Sequence, residues 1–164
     1  MKTITKTTMM IGLVAGLILP AMAEDNDKPV DWNSVPATVQ SAITANANGG
    51  KIGKIEMETE DGITSYEAKV KTTDGKKMEV EVGTDGSLIG TETVVKWDAV
   101  PAAVQSTITA NAKGGKVGKI ELAVEKGKTS YEATVKADDK KSEITVAADG
   151  TLVKVEAEDD DDGK

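Results

Sequence analysis

Residues 32–70 read WNSVPATVQSAITANANGGKIGKIEMETEDGITSYEAKV, and residues 97–135 read WDAVPAAVQSTITANAKGGKVGKIELAVEKGKTSYEATV. The two stretches align without a gap from Trp32 and Trp97 to about Lys71 and Lys136. One residue is then lost in the second, where TTDGKK becomes ADDKK, and the match resumes through DGSL and DGTL. A self-match of this length marks a duplicated module. It places module 1 at residues 32–92, a short connector at 93–96 and module 2 at 97–156.

Each copy opens with helical spacing. Val35, Val39, Ala42, Ile43 and Ala47 form one narrow apolar face, predicting a helix over 35–47 with Gln40, Ser41 and Thr44 on its polar side. Val100, Val104, Ile108 and Ala112 repeat the face. Ser34 and Asp98 are the expected N-caps, because their side-chain oxygens can accept orphan backbone N–H groups. Pro36 and Pro101 fall in the first turn, where a missing N–H costs little. Gly49-Gly50 and Gly114-Gly115 end the helices.

The period then changes from helical to two. Ile55 and Met57 alternate with Lys54, Glu56 and Glu58. Tyr66, Ala68 and Val70 alternate with Glu67, Lys69 and Lys71. Met78, Val80 and Val82 alternate with Glu79 and Glu81, and Leu88 and Ile89 follow. Asp61-Gly62, Asp74-Gly75 and Asp85-Gly86 punctuate the runs as turns. Module 2 repeats them with Ile120, Leu122 and Val124, then Tyr131, Ala133 and Val135, then Ile144 and Val146, then Leu152 or Val153 with Val155. This predicts an α+β chain of two tandem modules, each one helix packed on a four-stranded antiparallel sheet in the order α-β-β-β-β. One sheet face is apolar under the helix and the other is wet. The connector Thr93-Val94-Val95-Lys96 has no Gly, Pro or Ser, so a semi-rigid pair of modules is expected. Residues 24–31 read as a flexible polar lead, and 157–164 as a disordered acidic tail.

The first 23 residues read as an export signal. Lys2 and Lys6 precede the apolar run Met9–Leu19, then Pro20 and the small-x-small site Ala21-Met22-Ala23, with cleavage after Ala23. The alternative is an N-terminal anchor, but a span wants about 20 apolar residues. The expected mature chain is periplasmic or secreted and keeps no membrane span. Cysteine is absent, so no disulfide staples the fold.

Charge narrows the partners. Removing Lys2 and Lys6 takes the 20 basic residues to 18 against 28 acidic ones, a net of −10, and every basic residue is lysine. Such a chain suits a basic exported protein or peptide and disfavours nucleic acid and anionic lipid. Each module of about 60 residues is marginal alone, which favours contact between the two. Edge strands could pair between modules or between chains.

Val-Pro-Ala-x-Val-Gln opening a helix, a Gly-Gly break, Lys-Ile-Glu, Ser-Tyr-Glu-Ala and a later Asp-Gly together resemble the PepSY-like domain. The matching stretches are 35–40, 49–56, 65–68 and 85–86, repeated at 100–105, 114–121, 130–133 and 149–150. The duplicated layout is similar to the beta-lactamase-inhibitor-like, PepSY-like group. The resemblance implies exported, noncatalytic modules. Some relatives regulate or inhibit peptidases as propeptide parts, and tandem inhibitor relatives cover an enzyme with a sheet surface. It supplies no catalytic motif to carry over.

The residues themselves point the same way. With no histidine and no cysteine, His-based acid–base chemistry, Cys nucleophiles and the usual zinc sites are excluded. The carboxylates alternate with lysines on an open face, without the desolvation that a glycosidase acid requires. Gly49–Lys54 and Gly114–Lys119 lack the phosphate-loop pattern and lead from helix to strand, the wrong way round. No enzyme activity, cofactor or bound metal is expected. The candidate partner surface is Lys54, Glu56, Glu67, Lys69 and Glu81, with Lys119, Glu121 and Glu132 from the second copy. It would serve an exported binding protein that inhibits or regulates a peptidase or other hydrolase. The alternative is a structural or stress-related envelope protein that binds peptides or cations weakly. Tyr66 and Tyr131 read as core, with an interface role as the alternative. Trp32 and Trp97 read as seals at one end of each core. Asp159–Asp162 reads as a solubilising tail, with weak Ca²⁺ association as the alternative; it lacks the spaced ligands of an EF-hand loop.

Overall fold

The structure, a computed structural model, describes residues 28–60, 62–138 and 140–158. The leader reading at 1–23 and the acidic run Asp159–Asp162 lie outside the described residues. The chain forms β1 (Lys28–Val30), α1 (Ala37–Asn46), β2 (Lys51–Glu60), β3 (Ile63–Lys71), β4 (Lys77–Gly83) and β5 (Leu88–Val94). It continues through α2 (Ala102–Asn111), β6 (Lys116–Glu125), β7 (Lys128–Ala137), β8 (Lys140–Ala147) and β9 (Leu152–Glu158). A 3₁₀ turn precedes each helix, at Trp32–Ser34 and Trp97–Ala99. Among the described residues no helix is long and apolar enough to cross a membrane.

The expected pair of separate four-stranded modules is corrected by the sheet. All nine strands form one antiparallel sheet in chain order, β1 to β9. The seam is the β5–β6 ladder, which pairs Gly90 with Glu125, Glu92 with Ala123 and Val94 with Glu121. The Val95 N–H extends the seam by donating to the Ile120 carbonyl at 2.9 Å. Two separate sheets would leave the outer edge of β5 and the edge of β6 with rows of unpaired N–H and C=O groups. The stiff stretch 93–96 delivers one edge to the other, and pairing satisfies both.

The ninth strand, β1, comes from the polar lead, where no strand is expected. It pairs Lys28 with Met57 and Val30 with Ile55. Its place in the repeat explains it: Val30 and Val95 each stand two residues before the tryptophan. Val95 meets Ile120 just as Val30 meets Ile55. The end of β5 therefore does for module 2 what β1 does for module 1. Pro29 is tolerated because β1 is a three-residue edge strand.

Both helices lie on one side of the sheet, α1 against β4 and α2 against β8. Val39 and Ile43 are fully buried over Ile55, Ala68, Val80 and Val82. Val104 and Ile108 are fully buried over Ile120, Ala133, Ile144 and Val146. Burying a Val or Ile side chain contributes about 1.5–3 kcal/mol, so these two clusters hold the helices down. Tyr66 is buried in the first cluster and Tyr131 is half-buried against the second. Trp32 packs on the first core, whereas Trp97 is 36% exposed.

The helix starts differ from the expected caps. Ser34 and Asp98 lie inside the 3₁₀ turns, and Pro36 and Pro101 occupy the cap positions without a side-chain cap bond. The tie comes from inside the helix. Gln40 Nε2 donates to the Trp32 and Val35 carbonyls at 2.8 and 2.9 Å. Gln105 repeats this on Trp97 and Val100 at 2.8 and 3.1 Å.

Candidate partner-binding face

The side of the sheet opposite the helices gathers the polar residues of every strand, because period two sends alternate side chains there. Cross-strand register arranges them in rows. Glu56, Glu67 and Glu81 are successive neighbours, followed by Gly90 and Glu125. Lys69, Glu79, Glu92, Ala123 and Ser130 form the next row. Glu121, Glu132, Thr145 and Lys154 form a third, headed by Val94.

All eight expected surface residues fall on this face, in two groups on either side of the seam. Lys54, Glu56, Glu67, Lys69 and Glu81 come together on β2–β4. Lys54 pairs with Glu56, and Lys69 lies 3.8 Å from Glu56 and 3.9 Å from Glu79. The Ser65 hydroxyl donates to Glu81 at 2.8 Å. Carboxylate oxygens of Glu56, Glu58 and Glu67 lie within 4.8 Å of one another. Beyond the seam, Lys119 holds Glu121 at 2.7 Å, and Glu132 stands between Glu121 and Thr145.

The face is less wet than the alternation implies. Glu56, Glu92, Glu121, Glu132, Glu143 and Thr145 are all buried, although no helix covers them. Burial, with the like charges of Glu132, Glu121 and Glu79, pushes Glu92 up to about 9 against the opposing pull of Lys119. Burial pushes Glu132 up to about 7, aided by Glu143 and opposed by Lys154. Burial also raises Glu81, against its bond from Ser65, and raises Glu125, aided by Glu81.

The expected partner surface left out Glu92, Ala123 and Thr145, which also lie on this face. The signal was in the comparison of the copies. Glu92 corresponds to Glu156, which Lys154 holds at 2.9 Å. The first copy has Gly90 in the place of Lys154, so Glu92 lacks that lysine. Ala123 stands where the first copy has Glu58, and Thr145 where it has Glu81. Two of these departures, Gly90 and Ala123, border the seam, and Thr145 lies two strands beyond it on β8.

Solved structures share this frame. A BLIP-like protein from Bacteroides fragilis is 19% identical, with a TM-score of 0.61 over 79% of this chain and 90% of that one. A DUF2874 family protein from Bacteroides ovatus is 19% identical, with a TM-score of 0.63 over 76% and 88%. A protein from Bacteroides eggerthii described as "putative periplasmic" is 19% identical, with a TM-score of 0.63 over 75% and 88%. At these identities the likeness establishes the fold. Among curated proteins none matches the chain in sequence. The BLIP-like, PepSY-like fold is a non-catalytic one. One family pattern matches twice, at residues 21–90 and 73–154, overlapping on β4 and the start of β5. The chain therefore belongs to the "Putative beta-lactamase-inhibitor-like, PepSY-like" family.

Proposed function

We infer that this is an exported, non-catalytic binding protein whose uncovered sheet face docks on a partner protein. The carrying observation is the continuity of that face: nine strands in register, helices on one side only, and carboxylates gathered on the other. A face built of strand backbone is rigid, so docking costs little ordering entropy. Its excess of carboxylates favours a basic partner and speeds encounter. The leader at residues 1–23 and the description of the Bacteroides eggerthii structure support a periplasmic or secreted setting. The family's name and the BLIP-like relative support inhibition or regulation of a peptidase or other hydrolase, by covering its cleft.

The test is affinity capture from the native envelope with the full chain, its Glu67→Lys/Glu81→Lys variant, and a Ser41→Lys/Ser106→Lys variant on the outer helix surfaces. The expected result is a stoichiometric partner lost only with the sheet-face variant, with its hydrolase activity falling as the wild-type chain is added. Capture that survives the sheet-face change and disappears with the helix change would overturn this reading.

A further inference from the structure

We propose that the open face carries, on β5–β8, an acidic recess that takes one arginine side chain of the partner protein. Its floor is Ala123 and its walls are Glu92, Glu121 and Glu132, with Thr145 beside Glu132 on the outer side. This rests on the reading of the open face as the docking surface and names what that surface would grip.

The recess is built rather than incidental. Glu92 is 7% exposed and Glu132 8%, and the cations that act on them are Lys119 and Lys154. Thr145 is 5% exposed, and its buried Oγ1 has no hydrogen-bond partner. A buried polar group without a partner is costly. Here Thr145 Oγ1 is such a group, and it stands directly opposite the buried Glu132. The first copy shows how the room arose. Glu58 occupies the position of Ala123 there, and Glu81, in the position of Thr145, takes a bond from Ser65. Ala123 shortens the floor, and Gly90 removes the lysine that pairs the equivalent of Glu92. In the free chain Ala123 is fully buried.

The occupant follows from charge and shape. The walls are carboxyls with one hydroxyl, so the ligand is a cation and a donor. A metal ion wants its oxygens converging on a point. Among the described residues three acids converge in that way, within 4.8 Å, only at Glu56, Glu58 and Glu67. At the seam the carboxyls are spread over three strands, where neighbours across a ladder stand about 5 Å apart. A planar guanidinium with five donors bridges such a spread, and a point cation does not.

Binding is linked to protons. Glu92 faces Glu79 from β4, Lys119 and Glu121 from β6, and Glu132 from β7. Glu132 faces Glu121 and Glu125 from β6, Glu143 from β8 and Lys154 from β9. The free chain holds Glu92 protonated at neutral pH, and Glu132 partly so. An arriving guanidinium favours both carboxylates, so protons leave for solvent and binding tightens as pH rises.

The test is titration of the full chain with the peptide acetyl-Gly-Arg-Gly-Arg-Gly-amide and with its citrulline analogue, followed by amide NMR and by calorimetry in two buffers. The expected outcome is shifts centred on Gly90, Ala123 and Thr145 for the arginine peptide alone, with proton release. Affinity should rise several-fold between about pH 6 and pH 8.5 and fall about fivefold or more in Glu92→Gln/Glu132→Gln. Thr145→Val, which leaves the charges in place, should cost about two- to threefold. Shifts spread evenly over the acidic surface, equal affinity in the double variant, or saturation of the same amides by calcium in place of peptide would each overturn the recess. Partner capture lost with Glu67→Lys/Glu81→Lys but unchanged in Glu92→Gln/Glu132→Gln would overturn the recess and leave the docking face standing. Peptide binding at the seam with capture indifferent to every face variant would uphold the recess and overturn the docking face.

Discussion

Glu92 of the first copy stands directly opposite Ala123 of the second across the β5–β6 ladder. This pair joins the two halves of the sheet and places a buried carboxyl beside the smallest side chain of its row. The seam is thus both the structural joint and the place of a buried carboxyl whose pKa is strongly raised.

Glu92 makes stability fall with pH. Its folded pKa is raised from 4.5 to about 9, so between those values the folded chain holds a proton that the unfolded chain has released. Stability therefore declines as pH rises through that window, and Glu132 adds to the decline up to about 7. Glu92→Gln should gain about 1–3 kcal/mol at about pH 8, with little gain below about pH 4.5. Urea denaturation at about pH 5, 7 and 8.5 checks this; an unchanged slope in the variant would refute it.

Val95→Pro should loosen the joint. It removes the N–H that donates to Ile120 at 2.9 Å beside the middle of the sheet. The expected loss is about 2–3 kcal/mol. Hydrogen exchange should speed up along β5 and β6 before it does in β3 or β8.

Gln40→Ala and Gln105→Ala should each destabilise by about 1–2 kcal/mol, because each side chain ties two carbonyls of the preceding turn. Glutamate at either position should not rescue, since a carboxylate cannot donate to a carbonyl. Chemical denaturation of the four variants settles the point.

Gly150→Ala should cost about 1–3 kcal/mol. The residue sits at φ +91°, and an added Cβ would come within 2.7 Å of the Ala103 Cβ at the start of α2. A matched exposed change, Gly127→Ala, meets nothing within 4 Å and carries only the cost of its φ of +76°. The difference in melting temperature between the two variants measures the close approach itself.

Local order was legible in the residues. Valine and isoleucine at helical spacing placed Val39, Ile43, Val104 and Ile108 in the core. Alternation named the open face and put Lys54, Glu56, Glu67, Lys69, Glu81, Lys119, Glu121 and Glu132 on it. These are near-neighbour properties, since a side chain's face follows from the period of its own segment. The role of Gln40 was hidden, because its spacing placed it on the polar side while its partners are backbone carbonyls before the helix.

What the chain's residues determined by themselves is the repeated unit, its two periods and its two cores. Which edges meet was decided only in three dimensions. Alternation is the same on a free edge and on a paired one, so nothing in Thr93–Val95 announces that it borders a second set of strands. Tertiary pairing made one sheet of two expected ones and drew in Lys28–Val30. It also set Glu92 against Ala123, burying a carboxyl that in the sequence is one glutamate among many.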